Sequence, residues 1–387
     1  MISKRLKYFD SSKVRMAFQM AEEMRNPIDL SIGYPSKSTP MHIKAAGIEA
    51  IRGNRTRYTP SNGTPALRKA IARKLNRENK IKATDNSVTV VPGLTTGILL
   101  TFLALLDPGD EILVPDPYFP PYRDLAIMLG AKPVFVNTYP EFQLTASQLK
   151  AKITKKTKVI MINSPNNPTG AVYPENELRA IAKLAKQHDL VIISDEIYEY
   201  FVNNGDHFSI GSIYPRTITM NGFSKAYSMT GWRVGYIHGP QEIIDAINEL
   251  LQYTVFSTSS IAQHAALAAL KRKPSRITNE YRKKRDLTKK ILVQNFLVNG
   301  CQGAYYAFVK LPGGVSDMDF TTKAKHRGVI ILPGSAFSKR QDYIRITYTA
   351  LNRSLQTGLD IICELAESPN KVFRKSPKTR PLISLSS

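Results

Sequence analysis

The chain has 387 residues, 42% of them hydrophobic and 22% charged, which is enough for a large core and reads as two globular domains. Two cysteines, Cys301 and Cys363, exclude a disulfide framework, have no metal-site spacing around them, and point to a reducing, cytoplasmic setting. The balance of 54 basic against 31 acidic residues, +23, raises nucleic acid as a partner. The excess is scattered over Lys4–Lys7, Arg282–Lys290 and Lys371–Arg380 without a zinc-finger or RNA-binding signature, so it reads as solvated faces and a basic tail.

In chain order, the opening stretch MISKRLKYFDSSKVRMAFQM is basic but has no apolar run of signal-peptide length. Val88–Val91 reads as a strand and is followed by an apolar helix from about Thr95 to Leu106, the most apolar part of which falls short of the ~20 residues that span a bilayer. No membrane role is expected. Glu111–Val114, Pro133–Val136 and Lys158–Ile162 are further strands, and Glu175–Gln187 is an amphipathic helix. Leu190–Ser194, Thr217–Met220 and Arg233–Ile237 complete the strand set.

Strands alternating with helices imply a mainly parallel sheet covered on both faces, whose ligand site lies at the carboxyl ends of the strands. After about residue 290 the pattern becomes a smaller α+β unit, with QGAYYAFVKL, GVIILPGSAF, DYIRITY and a helix from about Arg353 to Ala366. The last nineteen residues carry five basic and no acidic side chains and three prolines, which reads as a flexible tail.

Four local signals lie among these elements. PGLTTG, Pro92–Gly97, is a small-residue turn between strand and helix, whose backbone N–H groups suit a phosphate as well as they suit a plain turn. SPNNPTG, Ser164–Gly170, follows a strand; it is a good turn sequence, and it also fixes the Asn167 amide as a donor toward a phenolate oxygen.

VIISDEIYEYF, Val191–Phe201, sets an acidic pair directly after an apolar strand. A buried carboxylate needs a partner. A protonated pyridine nitrogen would serve, with Asp195 as the carboxylate and Tyr198 within reach of the ring's oxygen, while Glu196 reads as structural. The competing reading is an N-capping aspartate. NGFSKAYSMTGWRVGY, Asn221–Tyr236, holds Lys225 after a strand among small and apolar residues, with Arg233 eight positions on. Desolvation and a neighbouring cation turn a lysine into a usable amine nucleophile, and a guanidinium forks onto phosphate.

In combination these segments resemble the class I/II aminotransferases, the fold type I pyridoxal-phosphate enzymes. The resemblance runs from about Leu30 to Leu365 and includes LSIGYP, RYTPSNGTPALRKAI, LLDPGDEILVPDPYFPPY, SPNNPTG, SDEIYEYF, SKAYSMTGWRVGY, GVIILPGSAF and YIRITY. It implies a mainly parallel, seven-stranded-type sheet flanked by helices in a large cofactor domain, residues 46–290. A smaller α+β domain, 291–367, follows, with a segment 1–45 that joins the small domain and closes over the site, and a tail 368–387.

It also implies roles. Lys225 matches the lysine that carries the cofactor covalently and later moves a proton. Asp195 matches the ring-nitrogen partner, Asn167 and Tyr198 the residues on the phenolic oxygen, and Phe119 the ring that stacks on the cofactor. Leu94 and Thr95 fall at the phosphate loop, and Arg233 matches the phosphate arginine. Tyr58 corresponds to a tyrosine reaching the neighbouring subunit's phosphate, so a homodimer with shared sites is implied. Arg345 matches the arginine that pairs with the substrate α-carboxylate, and Gly33 lies in the segment that covers it.

Two positions depart from the pattern. Many relatives carry Ser or Thr where this chain has Gly222, so Ser224 is the candidate replacement. Some aspartate-specific relatives carry a lysine at the position aligned with Thr95, which weakens an aspartate-only reading. The implied reaction moves an amino group between an L-amino acid and a 2-oxo acid, of aspartate, alanine or aromatic type, by a ping-pong mechanism. A carbon–sulfur β-lyase on the same scaffold is the nearest alternative. A nucleic-acid-binding regulator is the remote one, as only about thirty residues precede LSIGYP, too few for an added DNA-binding segment.

Overall fold

The computed structural model describes residues 2–3, 19–274 and 277–367. The basic run Lys4–Lys7 and the tail 368–387 lie outside the described residues.

The first elements are the short strand β1 (Ile28–Asp29) and helices α1 (Met41–Arg52) and α2 (Pro65–Lys74). An α/β succession follows: β2 (Val88–Val91), α3 (Leu94–Leu105), β3 (Glu111–Asp116), α4 (Pro120–Met128), β4 (Lys132–Asn137), α5 (Ala146–Lys150), β5 (Thr157–Asn163), α6 (Glu175–Gln187), β6 (Val191–Asp195), β7 (Thr217–Gly222) and β8 (Gly235–His238). Helices α7 (Gln241–Tyr253), α8 (Ser260–Ala269) and α9 (Ile277–Leu292) lead to β9 (Tyr306–Lys310) and α10 (Asp317–His326). The chain closes with β10 (Val329–Ile330), β11 (Leu332–Pro333), β12 (Tyr343–Thr347) and α11 (Asn352–Glu367).

The large sheet has seven strands in the order β2-β8-β7-β6-β5-β3-β4. All are parallel except β8, which runs antiparallel to both of its neighbours. Period-two alternation sends Val159, Met161, Val191 and Ile193 into the core under α3, α4 and α7, and Ile160, Ile162 and Ile192 into the core under α6. Both faces are therefore covered, as a parallel sheet requires. Helix α6 shows how sequence makes an element: Leu178, Ile181, Ala182 and Ala185 form its buried stripe, with Glu175 and Glu177 in its first turn and Lys186 in its last, as the helix dipole favours.

A three-stranded antiparallel sheet, β11-β12-β9, and a two-stranded parallel sheet, β1-β10, form from the C-terminal part and the N-terminal segment. Residue 30 is tied in on both sides: Leu30 N–H donates to Ile330 O at 2.9 Å, and Thr347 N–H donates to Leu30 O at 2.8 Å. The segment after β1 is thereby held against the strand that carries Arg345.

One expected boundary is wrong. Arg233 does not open the last strand, which begins at Gly235; it ends a 3-10 turn, Thr230–Trp232, in the left-handed region at φ 54°. The turn leaves the Arg233 guanidinium lying over Gly93. No described helix is long and apolar enough to cross a membrane.

Candidate active site

Adjacent strands of the large sheet end in polar residues at one edge. Asn163 closes β5 and pairs in register with Asp195, which closes β6; Asp195 in turn is level with Met220 of β7. Asn163 Nδ2 donates to Asp195 O at 3.0 Å and locks the two ends together. This carboxyl edge opens into a cavity of about 680 Å³. Leu94, Thr95, Phe119, Asn167, Asp195, Tyr198, Ser224, Lys225 and Arg233 line it from the large sheet, with Gly33 and Arg345 opposite.

Asp195 is buried. Its Oδ2 accepts from Tyr122 Oη at 2.7 Å and its Oδ1 from Ile197 N–H at 3.2 Å, yet it has no ion-pair partner among the described residues. Burial pushes its pKa up to about 6 against these hydrogen bonds. Lys225 sits in the turn after β7, partly buried, and its ammonium donates to Gly33 O at 2.7 Å and stands 5.8 Å from the Tyr198 ring. Desolvation, reinforced by Arg345 and Arg233 and opposed by Asp195, lowers its pKa to about 8.

Arg345 is held inside the protein by β12. Nη1 donates to Asn167 Oδ1 at 2.9 Å, Nη2 donates to Ser31 O, and Nε has no hydrogen-bond partner. The guanidinium lies 4.6 Å from the Tyr306 ring centre and 4.4 Å from that of Phe337. No carboxylate pairs with it among the described residues, and burial lowers its pKa. Because arginine only donates, the Asn167 atom facing it is the oxygen, which leaves the amide NH₂ for another acceptor.

At the other end of the cavity, Gly93 adopts φ 82° before α3. A Cβ there would stand 2.2 Å from Arg233 Nη2, so glycine is what lets the guanidinium cover the helix start. Arg233 Nη1 donates to Thr230 O at 3.1 Å, and the residue is exposed. Gly222 has little room for a side chain: a Cβ would meet Gly235 Cα at 3.0 Å and Val234 O at 3.1 Å. A side chain at that position would press on β8 by a few tenths of an ångström, and Ser224 is the hydroxyl on the cavity wall.

Tyr58 is not part of its own chain's cavity. It is 86% exposed, with its ring 4.9 Å from that of Phe256. A second cavity, lined by Lys37, Ile48, Ile51, Trp232 and again Arg233, opens beside the first.

Sequence reasoning missed several wall residues. Tyr122 follows Phe119 by three positions, the spacing that puts two residues on one helix face. Tyr306 opens β9 in QGAYYAFVKL, directly after Tyr305; its Oη meets Tyr198 Oη at 2.7 Å, and the Tyr305 ring packs on Tyr198 as well. Ser31 and Phe337 reach Arg345 from LSIGYP and GVIILPGSAF, segments distant in the chain whose convergence on one guanidinium only the fold reveals.

The model of the family "Aminotransferase class I and II" matches residues 25–359. The aspartate aminotransferase of Pyrococcus abyssi is 38% identical over 375 residues, covering 93% of this chain and 96% of the relative. Aromatic-amino-acid aminotransferase 2 of Thermococcus litoralis is 36% identical over 375 residues, with the same coverage. A solved structure of the Thermus thermophilus aspartate aminotransferase with maleate superposes with a TM-score of 0.90 at 34% identity, over 94% of this chain and 99% of that one. With a family match over residues 25–359 and relatives and a solved structure matched over nearly the whole length, the chain belongs to the class I and II aminotransferases.

Proposed function

We propose that the chain moves an amino group between an L-amino acid and a 2-oxo acid in a ping-pong cycle with pyridoxal phosphate, Lys225 being the residue that holds the cofactor and moves the proton. The family depends on that cofactor in general. The observation that carries the reading is Arg345: a buried guanidinium with an unsatisfied Nε and, among the described residues, no carboxylate partner, on the cavity that also holds Lys225 and Asp195. A buried cation in that state is a receptor for an anion, and the α-carboxylate is the anion common to all amino acids.

Three features support the fit of the cofactor. Asp195 is a buried carboxylate without an ion-pair partner, suited to a protonated ring nitrogen. Lys225 has a lowered proton affinity, suited to an amine nucleophile. Gly93 and Arg233 form a cationic cover over the start of a twelve-residue helix, suited to a phosphate. When bound, pyridoxal phosphate supplies an aldehyde for amine capture and a ring that takes up electron density from the substrate Cα.

The chain's own groups then have these parts. Asp195 keeps the ring nitrogen protonated. Tyr198 and the Asn167 NH₂ hold the phenolic oxygen, and Phe119 covers one face of the ring. Arg233, Ser224 and the backbone at Leu94 and Thr95 hold the phosphate. Arg345 and the Gly33 segment orient the α-carboxylate so that the Cα proton faces the Lys225 amine.

We further infer a homodimer in which Tyr58 serves the partner's phosphate, supported by its exposure and by the exposed Ile48 and Ile51 beside the Arg233 cavity. The three separate sheets support a division into a cofactor domain, 46–290, a small domain, 291–367, and an N-terminal segment, 1–45, whose described part joins the small domain. The test is spectral. Protein loaded with pyridoxal phosphate should be yellow and lose that colour on addition of a competent amino acid, with release of one 2-oxo acid. A protein that gains no absorption from added pyridoxal phosphate sinks the reading.

A further inference from the structure

Behind the cavity wall lies a second group of buried ionisable side chains that the proposed reaction does not use. Asp195 and Tyr198 line the cavity, and each is followed directly by a glutamate engaged elsewhere. Glu199 pairs with Lys74, at the end of α2. Lys74 Nζ also donates to Asn79 Oδ1 at 2.7 Å, and Asn79 Nδ2 donates to Glu199 Oε2 at 2.8 Å and to Glu196 Oε2 at 3.2 Å. Glu196 accepts further from Ser209 Oγ at 2.7 Å and Ser194 Oγ at 3.0 Å, and His207 Nε2 stands 3.0 Å from it.

Lys74, Asn79, Glu196 and Glu199 are all buried. Two carboxylates left uncompensated there would cost several kcal/mol each, so such a cluster persists only with its cations and hydrogen bonds in place. The turn Leu75–Asn79, wider than α-helical, is what brings Asn79 back beside Lys74.

Glu196, Glu199 and His207 present ligand atoms within 4.8 Å of one another, the makings of a cation site. The Lys74 ammonium already supplies that cation, and Asn79 bridges the carboxylates. The cluster is thus a closed, charge-compensated block attached to one face of a segment whose other face is the cavity wall.

We propose that Lys74, Asn79 and His207 are positioning residues: by gripping Glu196 and Glu199 they fix the backbone of residues 195–199, and with it the Asp195 carboxylate and the Tyr198 hydroxyl. This rests on the reading of Asp195 and Tyr198 as cofactor partners given above. Rigid support matters because a hydrogen-bonding group misplaced by a fraction of an ångström loses most of its effect. The main chain transmits the grip: Glu196 N–H donates to Met220 O at 2.8 Å and Glu199 N–H to Glu196 O at 2.9 Å, so neither glutamate can move without its neighbour.

The test compares loaded wild-type protein with Glu196→Gln, Lys74→Met and the double variant Lys74→Met/Glu199→Gln, each checked for folding by circular dichroism. Wild type should bind pyridoxal phosphate with a defined absorption band; failure there overturns the cofactor reading and the positioning role with it. In the folded single variants the dissociation constant for pyridoxal phosphate should rise about tenfold or more and the band should shift, with kcat reduced and KM unchanged. The double variant, which removes the stranded charge, should recover part of the affinity. Should Lys74→Met not fold, Glu196→Gln is isosteric and carries the comparison. Wild-type affinity and band in every folded variant would show that the cluster serves only fold stability. A stoichiometric metal found by elemental analysis would overturn the place given to Lys74.

Discussion

Arg345 Nη1 donates to Asn167 Oδ1 at 2.9 Å, joining two residues 178 positions apart. The bond couples the two halves of the proposed chemistry. It fixes the guanidinium beside the proposed carboxylate site and, by occupying the amide oxygen, leaves the Asn167 NH₂ for the proposed phenolic-oxygen contact. Substrate binding and cofactor electronics thereby share one side chain, and a substrate that draws on Arg345 also acts on Asn167.

Lysine in place of Arg345 keeps the charge but loses the fork and the two-sided ring stacking against Tyr306 and Phe337. For Arg345→Lys, kcat/KM for any amino donor should fall about a hundredfold, which is ~2.7 kcal/mol. Affinity for pyridoxal phosphate should fall far less, because Arg345 reaches the cofactor end only through Asn167. Steady-state kinetics beside cofactor titration checks this; an unchanged kcat/KM would remove Arg345 from the carboxylate role.

The pH behaviour of the cofactor-free protein follows from two opposite shifts. Lys225 has its folded pKa lowered from 10.5 to about 8, so between these values the unfolded chain binds more protons and stability rises with pH. Asp195 has its folded pKa raised from 3.8 to about 6, so between these values the folded chain binds more protons and stability falls as pH rises. Comparing denaturant unfolding of wild type and Lys225→Ala from pH 8 to 10.5 isolates the first effect: the variant should lack that part of the rising slope. Parallel curves over that window would mean that Lys225 keeps its ordinary proton affinity.

Gly93 is a sharp test of the phosphate end. Alanine there carries φ 82° and puts a methyl 2.2 Å from Arg233 Nη2, so the guanidinium must leave the helix start. The conformation, φ 82° and ψ 155°, belongs almost wholly to glycine, and strain there costs ~1–3 kcal/mol of fold stability, while the displaced cation weakens cofactor binding as a separate effect. For Gly93→Ala, equilibrium dialysis of the folded variant should show at least about a tenfold loss of pyridoxal-phosphate affinity beside a lowered denaturation midpoint. Equal affinity would place the phosphate elsewhere.

Much of this arrangement was legible in the sequence, for a definite reason. Val88–Val91 and Glu175–Gln187 match the structure at both ends because their signals are local: an unbroken β-branched run in the first, a periodic buried stripe in the second. Asp195 and Lys225 stood out because a charge at the end of an apolar strand is locally anomalous. Strand order was not legible, since β8 enters between β2 and β7 by pairings that no local pattern records. Arg233 is placed in a strand by its apolar neighbours, whereas the structure has it left-handed at a turn, its guanidinium over Gly93, 140 positions away. Tyr306 and Ser31 escaped notice for the same reason. Glu196 reads as structural in the sequence, yet the residues around it and Glu199, namely Asn79, His207 and Lys74, come from segments that are unremarkable in isolation.

The shared site makes the remaining prediction. Tyr58, exposed on its own chain, is proposed to complete the phosphate site of a second copy. Sedimentation equilibrium should therefore give twice the mass of the 387-residue chain, and Tyr58→Ala should weaken cofactor binding without disturbing the fold. The decisive form is complementation. Lys225→Ala destroys the site that its own chain builds but still presents an intact Tyr58 to its neighbour. Tyr58→Ala keeps Lys225 but deprives its neighbour. In a hybrid dimer, the Lys225 of the second variant meets the Tyr58 of the first, and one site of the two is whole. Unfolding and refolding an equal mixture should therefore restore transamination above the sum of the separately refolded variants. A mixture no more active than that sum, with hybrids present, would confine each site to a single chain.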